Sequence, residues 1–232
     1  MIYPEAATLL ERFSKEPFFA KTGATLIGGT AIAYQSKHRM SFDLDIAFPH
    51  HTTLPVLGFL EKYNANPLPF DRSIVDSMIN EGGNIDEYHK RFSIDGVKVD
   101  FVVNPSSNIY EKEILQNDEG IDYGSLKITS LDALFKLKSL LLLDRNKIRD
   151  LYDIVYLLEY YDFSAKDILD TIMEYRITYT DKQIIQLIES KKPDELDIEF
   201  EGIAEPKMKL VEYDELRDYL LSGLRAADIK LR

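Results

Sequence analysis

The chain reads as α+β: a mixed-sheet domain over residues 1–125, then a helical domain over residues 126–232. Three observations predict this. A short apolar run, Ala24-Thr25-Leu26-Ile27, leads straight into Gly28-Gly29. Two segments of alternating polarity flank Asp95-Gly96. From Thr129 the spacing of apolar residues changes from two to about 3.6, the period of an amphipathic helix.

In chain order, Ala6 to Phe19 reads as an amphipathic helix and Ala24 to Ile27 as a strand. The two glycines let the backbone turn sharply and approach a ligand closely, and a helix is expected to open at Thr30. Ser41-Phe42-Asp43-Leu44-Asp45-Ile46 reads as the next strand. Side chains alternate faces in extended backbone, so Asp43 and Asp45 should share one face while Phe42, Leu44 and Ile46 enter a core. Pro49 to Thr53 breaks the pattern before a helix expected from Leu54 to Lys62, and Asn64 to Phe70 is turn-rich. Arg91 to Ile94 and Val97 to Val103 form a hairpin, because Asp95-Gly96 supplies the positive φ angles of a type I′ turn. On its second strand Val97, Val99, Phe101 and Val103 share a face, with Lys98 and Asp100 on the other. Asp100 then joins Asp43 and Asp45 if the two strands are neighbours.

Ser130 should cap a helix carrying Leu131, Leu134, Phe135, Leu137, Lys138, Leu141 and Leu142. A second helix runs through Ile148, Leu151, Ile154, Val155 and Leu158. Ser164 to Arg176 and Thr180 to Ser190 give two more, each opening at a capping residue. The acidic segment Pro193 to Glu201 reads as a solvated linker before a last helix from Tyr213 to Arg225.

Composition narrows the function. With 45% apolar residues the chain can bury a core, and without cysteine it has neither disulfides nor thiolate zinc sites. That suits a reducing compartment, and a cytoplasmic location is expected. His38, His50, His51 and His89 lack the spacing of a helical or finger-type metal site. The first residues are not expected to act as a signal peptide. No apolar stretch approaches the ~20 residues of a membrane span, so no membrane partner is expected. A net charge of −12 argues against general coating of nucleic acid. Between Lys136 and Arg149, however, Lys136, Lys138, Arg145, Lys147 and Arg149 accompany one anion, Asp144, a local basic patch.

Gly-Gly alone is usually a tight turn, and Asp-x-Asp alone a solvated face. Strand, Gly-Gly-Thr, helix, then a strand with Asp-x-Asp is a more telling order. A helix N-terminus after Gly28-Gly29 offers N–H groups to a phosphate, and Asp43 and Asp45 supply oxygen ligands for a divalent metal. A phosphate cradle beside paired carboxylates points to nucleotidyl transfer.

Gly28-Gly29-Thr30, His38-Arg39-Met40-Ser41-Phe42-Asp43-Leu44-Asp45, Val99-Asp100-Phe101 and the run from Lys138 to Asp153 together resemble the AbiEii/MenT nucleotidyltransferase family. These are toxins and related proteins of bacterial toxin-antitoxin and phage-defence systems, within the DNA polymerase β-like superfamily. The resemblance covers about Leu26 to Leu158 and implies a nucleotidyltransferase-fold sheet with a C-terminal helical bundle. By resemblance Asp43 and Asp45 are the metal pair, Lys138 the motif lysine and Asp153 the distal acid. Asp150, one turn before Asp153, could equally take that last role. Arg39 and Ser41 lead into the acidic strand, Thr30 stands where the superfamily more often has Ser and offers its hydroxyl as cap and phosphate ligand, and all three are expected to bind the nucleotide.

The implied reaction moves NMP from an NTP with Mg²⁺ or Mn²⁺ held by Asp43 and Asp45. Asp100 is expected at a second metal position or as the base. Gly28 and Gly29 are expected at the γ-phosphate, and Lys138 and Arg149 at the leaving pyrophosphate. RNA, such as a tRNA 3′ end, is the expected acceptor and a cognate antitoxin protein the expected partner. Transfer to a protein or small-molecule hydroxyl, or a silent nucleotidyltransferase-fold binding protein, are the alternatives.

Overall fold

A computed structural model describes residues 1–50, 57–70, 75, 84–103, 109–193 and 203–230. The chain is α+β, and its residues group into two units: Met1–Gln35 with Ser41–Ser130, and Ser36–Met40 with Leu131–Arg232.

The first unit is built on strands β1 (Thr25–Ile27), β2 (Leu44–Phe48), β3 (Asn66–Pro67), β4 (His89–Ile94), β5 (Val97–Val103), β6 (Ile121–Tyr123) and β7 (Leu126–Ile128). They form one sheet in the order β3-β4-β5-β2-β1-β7-β6. The β2–β5 and β1–β7 pairs are parallel and the rest antiparallel, so the sheet is mixed. Asp95 and Gly96, with φ of 51° and 81°, close the β4–β5 hairpin as the turn chemistry requires. β6 and β7 are three residues each, too short to display a period in the sequence.

One helix expected over Ala6 to Phe19 is in fact two, α1 (Pro4–Phe13) and α2 (Pro17–Thr22). Pro17 has no N–H for a preceding turn and forces Glu16 into extended backbone. The helix after the glycines, α3 (Gly28–Ser36), opens at Gly28 rather than Thr30. α4 (Leu57–Lys62) is the described part of the helix expected from Leu54, whose first residues lie outside the described ones. α5 (Ile85–Tyr88) and α6 (Ile109–Asn117) follow.

The core of this unit is aromatic: Phe13, Phe19, Phe48 and Phe101 are fully buried, and Phe59 stacks on Tyr63 at 4.5 Å. Leu44, Ile46, Val97, Val99, Phe101 and Val103 are buried as their alternation predicts. At about 1.5–3 kcal/mol per buried large apolar side chain, these faces hold β2 and β5 in register. Phe42 departs from the alternation and is 44% exposed. It precedes β2 and lies against Tyr3 at 5.1 Å, outside the pleat that orders its neighbours.

The second unit holds α7 (Leu131–Asp144), α8 (Ile148–Tyr160), α9 (Ala165–Tyr175), α10 (Asp181–Ser190) and α11 (Tyr213–Lys230). α9 and α10 each open with a reciprocal capping box, Ser164 with Asp167 and Thr180 with Gln183. Leu140, Ile154, Leu157, Ile168, Ile172, Ile184, Leu216, Leu220 and Leu224 fill the helical core. The acidic linker expected over Pro193 to Glu201 lies, from residue 194, outside the described residues. No described helix is long and apolar enough to cross a membrane.

Candidate active site

In the first unit β1 passes into α3 without a loop, and Gly28 makes the turn with φ of 73°. That backbone region is open to glycine at little cost. β2 runs antiparallel beside β1 with Ile27 opposite Asp45. This register lays the Asp45 carboxylate over Gly28 so closely that a Cβ there would collide with Asp45 Oδ2. Strand, glycine turn and first acid are thus one packed unit.

Thr30 is 1% exposed, and its hydroxyl is committed within the protein. It donates to the Asp43 carbonyl and accepts from Ser41 Oγ at 2.7 Å, since its one proton is already given. Ser41 is tied further by backbone bonds from its N–H to the Met1 carbonyl and from the Tyr3 N–H to its own carbonyl. Thr30 and Ser41 therefore fix the backbone that delivers Asp43.

β2 and β5 are neighbours, with Asp45 directly opposite Asp100, which meets the condition that brings the third acid to the pair. Each outer acid has a cation. Lys98 Nζ donates to Asp43 Oδ2 at 2.7 Å and lies 3.8 Å from Asp100 Oδ2. Asp100 Oδ1 accepts from His89 Nε2 at 2.9 Å and from Arg91 Nε at 2.8 Å, Arg91 being its cross-strand partner. Burial pushes the Asp100 carboxyl up, but the hydrogen bonds and charges of His89 and Arg91 outweigh it and hold it below the usual range. A carboxylate so stabilised is a poor proton acceptor, which argues against the expected role of Asp100 as base.

In the second unit four further candidates, Arg39, Lys138, Asp150 and Asp153, meet in one buried ionic cluster. Asp153, fully buried on α8, accepts from His38 Nε2 at 2.6 Å, Arg39 Nε at 2.7 Å and Arg39 Nη2 at 3.1 Å, and pairs with Lys138 Nζ at 2.8 Å. Asp150, one turn earlier, accepts from Lys138 Nζ and takes a bidentate grip from Arg145, Nε to Oδ2 at 2.6 Å and Nη2 to Oδ1 at 3.0 Å. Burial opposes the charge on both acids. Arg39 and Lys138 nevertheless hold Asp153 well below the carboxylate range, and Lys138 with Arg145 brings Asp150 to about 2.

Burial also lowers His38, more than Asp153 raises it, so the ring is neutral at pH 7. Its Nε2 then carries the proton given to Asp153, and Nδ1 accepts from Ser36 Oγ at 2.9 Å. Tyr152 Oη closes the arrangement, donating to the His38 carbonyl at 3.2 Å and accepting from the Met208 N–H at 3.0 Å.

The expected basic patch is largely neutralised. Lys138 is buried between Asp150 and Asp153, Arg145 is spent on Asp150, and Lys136 pairs with Asp132 at 2.8 Å. Counting only Lys136 to Arg149 left out Asp132, Asp150 and Asp153, which helix geometry returns to the same surface. Arg149 is half-buried on the first turn of α8. Lys98, His89, Arg91, Arg145 and His38 were not among the expected site residues. For Lys98 a signal existed, since it shares a strand face with Asp100; for His38 the signal was its place at the head of the segment that leads into the acidic strand.

As a metal site, Asp43 and Asp45 are partly exposed and offer only oxygen, the donor set of Mg²⁺ or Mn²⁺. Among the described residues no three His, Asp or Glu are arranged to hold an ion, so Asp100, although on the strand beside Asp45, does not complete the expected three-acid metal site with Asp43 and Asp45. Mg²⁺ in phosphoryl-transfer sites takes one or two carboxylates and draws its other ligands from substrate phosphates and water, so the pair fits.

No curated protein matches the chain. Among solved structures, the "Crystal structure of putative nucleotidyltransferase from H. pylori" is similar in fold, with a TM-score of 0.51 at 16% identity, covering 99% of this chain and 97% of that one. A "tRNA-processing enzyme (apo form I)" covers 99% of this chain and 79% of its own, at 12% identity and a TM-score of 0.38. The family model described as "Nucleotidyl transferase AbiEii toxin, Type IV TA system" matches residues 8–228. With that match over nearly its whole length, the chain belongs to the AbiEii nucleotidyl transferase toxin family and is a nucleotidyltransferase.

Proposed function

We propose that this nucleotidyltransferase moves the NMP of an NTP onto an RNA acceptor in a divalent-metal-dependent reaction, as a toxin countered by a cognate antitoxin. The observation that carries the reading is the packing of the Asp45 carboxylate on Gly28, with Asp100 opposite it on the neighbouring strand β5. It sets the glycine turn at the start of α3 against one carboxylate of the proposed pair within one sheet.

In this reading the N-terminal turn of α3 offers backbone N–H groups to the triphosphate, helped by the helix dipole. Asp43 and Asp45 would hold the metal ion. When bound, that ion neutralises phosphate charge and aligns the reacting groups for in-line displacement. Thr30 and Ser41 keep Asp43 in place through its backbone, while His89 and Arg91 keep Asp100 ionised and oriented. The buried Lys138–Asp150–Asp153–Arg39 cluster positions the N-terminal end of α8 and the segment around His38. In the resemblance Lys138 also serves the pyrophosphate, and a role in transfer beyond folding is proposed for it.

The acceptor is the finer part of the proposal and rests on the family resemblance. Incubation with each α-labelled NTP, Mg²⁺ and total RNA tests it. Label that enters RNA and vanishes on RNase treatment supports the reading. Label left on protein after RNase treatment contradicts it in favour of a protein acceptor.

A further inference from the structure

Two of the three candidate acids, Asp43 and Asp100, are held by cations in two different ways. Asp100 is 5% exposed and gripped from the neighbouring strand by Arg91 and His89. Asp43 is held instead by Lys98, and both side chains are only part-buried, at 28% and 30% exposure. Lys98 lies two residues before Asp100 on β5, so its stem rises from the same face and its ammonium reaches the oxygen edge of both acids.

We propose that Lys98 is the resident counter-cation of Asp43 and controls access of the divalent metal, yielding Asp43 Oδ2 only when the ion arrives with the added charge of NTP phosphates. This rests on the reading of Asp43 as a metal ligand. The ammonium makes its hydrogen bond to one oxygen that a metal ion would take, so the two compete for it. A part-exposed lysine pair on a flexible stem is weakly held and can be displaced. With Lys98 in place, a free divalent ion meets a carboxylate already neutralised, with a positive charge within a few ångströms. The triphosphate reverses that balance by adding negative charge beside Asp45. The fixed grip on Asp100 and the displaceable grip on Asp43 thus divide the labour between preorganisation and gating.

The test is Mn²⁺ affinity without nucleotide, followed by electron paramagnetic resonance titration of the full chain, with circular dichroism checking the fold. Lys98→Met, which keeps the aliphatic stem, should bind Mn²⁺ on the order of tenfold more tightly than the wild type. Lys98→Arg, which keeps the charge, should stay weak, and Asp43→Asn should lose binding. Unchanged affinity in Lys98→Met with binding still lost in Asp43→Asn overturns the gating role and leaves the site reading intact. Affinity indifferent to Asp43→Asn removes the site reading as well. If Lys98→Met does not fold, Lys98→Gln takes its place. Failure of both to fold also overturns the proposal, because a displaceable pair cannot be essential to folding.

Discussion

Gly28 and Asp45 touch across the β1–α3 turn: the glycine has φ of 73°, and the space where its side chain would stand is filled by the Asp45 carboxylate. Gly28→Ala therefore combines backbone strain of about 1–2 kcal/mol with displacement of that carboxylate. Transfer should fall by roughly a hundredfold, since misplacement by about an ångström costs that much. Steady-state rates beside a thermal melt check this, and a near wild-type rate would separate the turn from the chemistry.

Thr30→Val keeps the shape of the side chain and removes its hydroxyl, leaving the buried Ser41 hydroxyl and the Asp43 carbonyl without that partner. Stability should drop by about 1–3 kcal/mol, and transfer should fall with it through Asp43. Thr30→Ser should recover most of both. Equal stability of the Val and Thr forms in urea would contradict the tether.

Lys138→Met strands Asp150 and Asp153 beside fewer positive charges in a site where all three side chains are nearly inaccessible. Breaking a buried pair costs about 3–5 kcal/mol. The lower end is expected here, because Arg39 and Arg145 remain. A solvated helix cation would change stability by no more than ~0.5 kcal/mol. Denaturant unfolding decides between them. Rates measured on the folded fraction report any part that Lys138 plays in transfer: a normal rate per folded molecule would restrict it to structure.

How much of this was legible beforehand depends on the range of the interaction. The hairpin was plain because Asp95-Gly96 states its own geometry, and the capping boxes at Ser164 and Thr180 are equally local. The alternation that placed Leu44, Ile46 and Asp45 failed at Phe42, because the strand begins only at Leu44 and alternation holds nowhere else. Pro17 splits the first helix, although the apolar spacing that suggests one helix continues through Phe19. The Asp153 cluster was half visible. Three-residue spacing set Asp150 and Asp153 on one face, but nothing local told that this face is buried or that His38 and Arg39 reach it.

Acid should weaken the fold in two steps. His38 is lowered from 6.5, so as pH drops below that value the unfolded chain takes up a proton that the folded ring refuses, and stability falls. The lowered acids add a second loss: Asp150 stays ionised to about 2 when folded but protonates near 3.8 when unfolded, so its contribution disappears between these values as pH falls. Urea midpoints at about pH 7.5 and about pH 5 should differ, the lower pH being the less stable. Equal midpoints would mean that His38 ionises freely.

The most direct measurement of the central claim is single-turnover transfer from α-labelled NTP with Mg²⁺ and total RNA by the wild type, Asp43→Asn and Asp45→Asn, each with its melting curve. Each substitution exchanges a hard anionic ligand for a neutral amide of nearly the same shape. The account requires labelled RNA from the wild type, none above background from either variant, and melting temperatures that keep both variants folded. Transfer by a folded Asp43→Asn or Asp45→Asn at near the wild-type rate would contradict it.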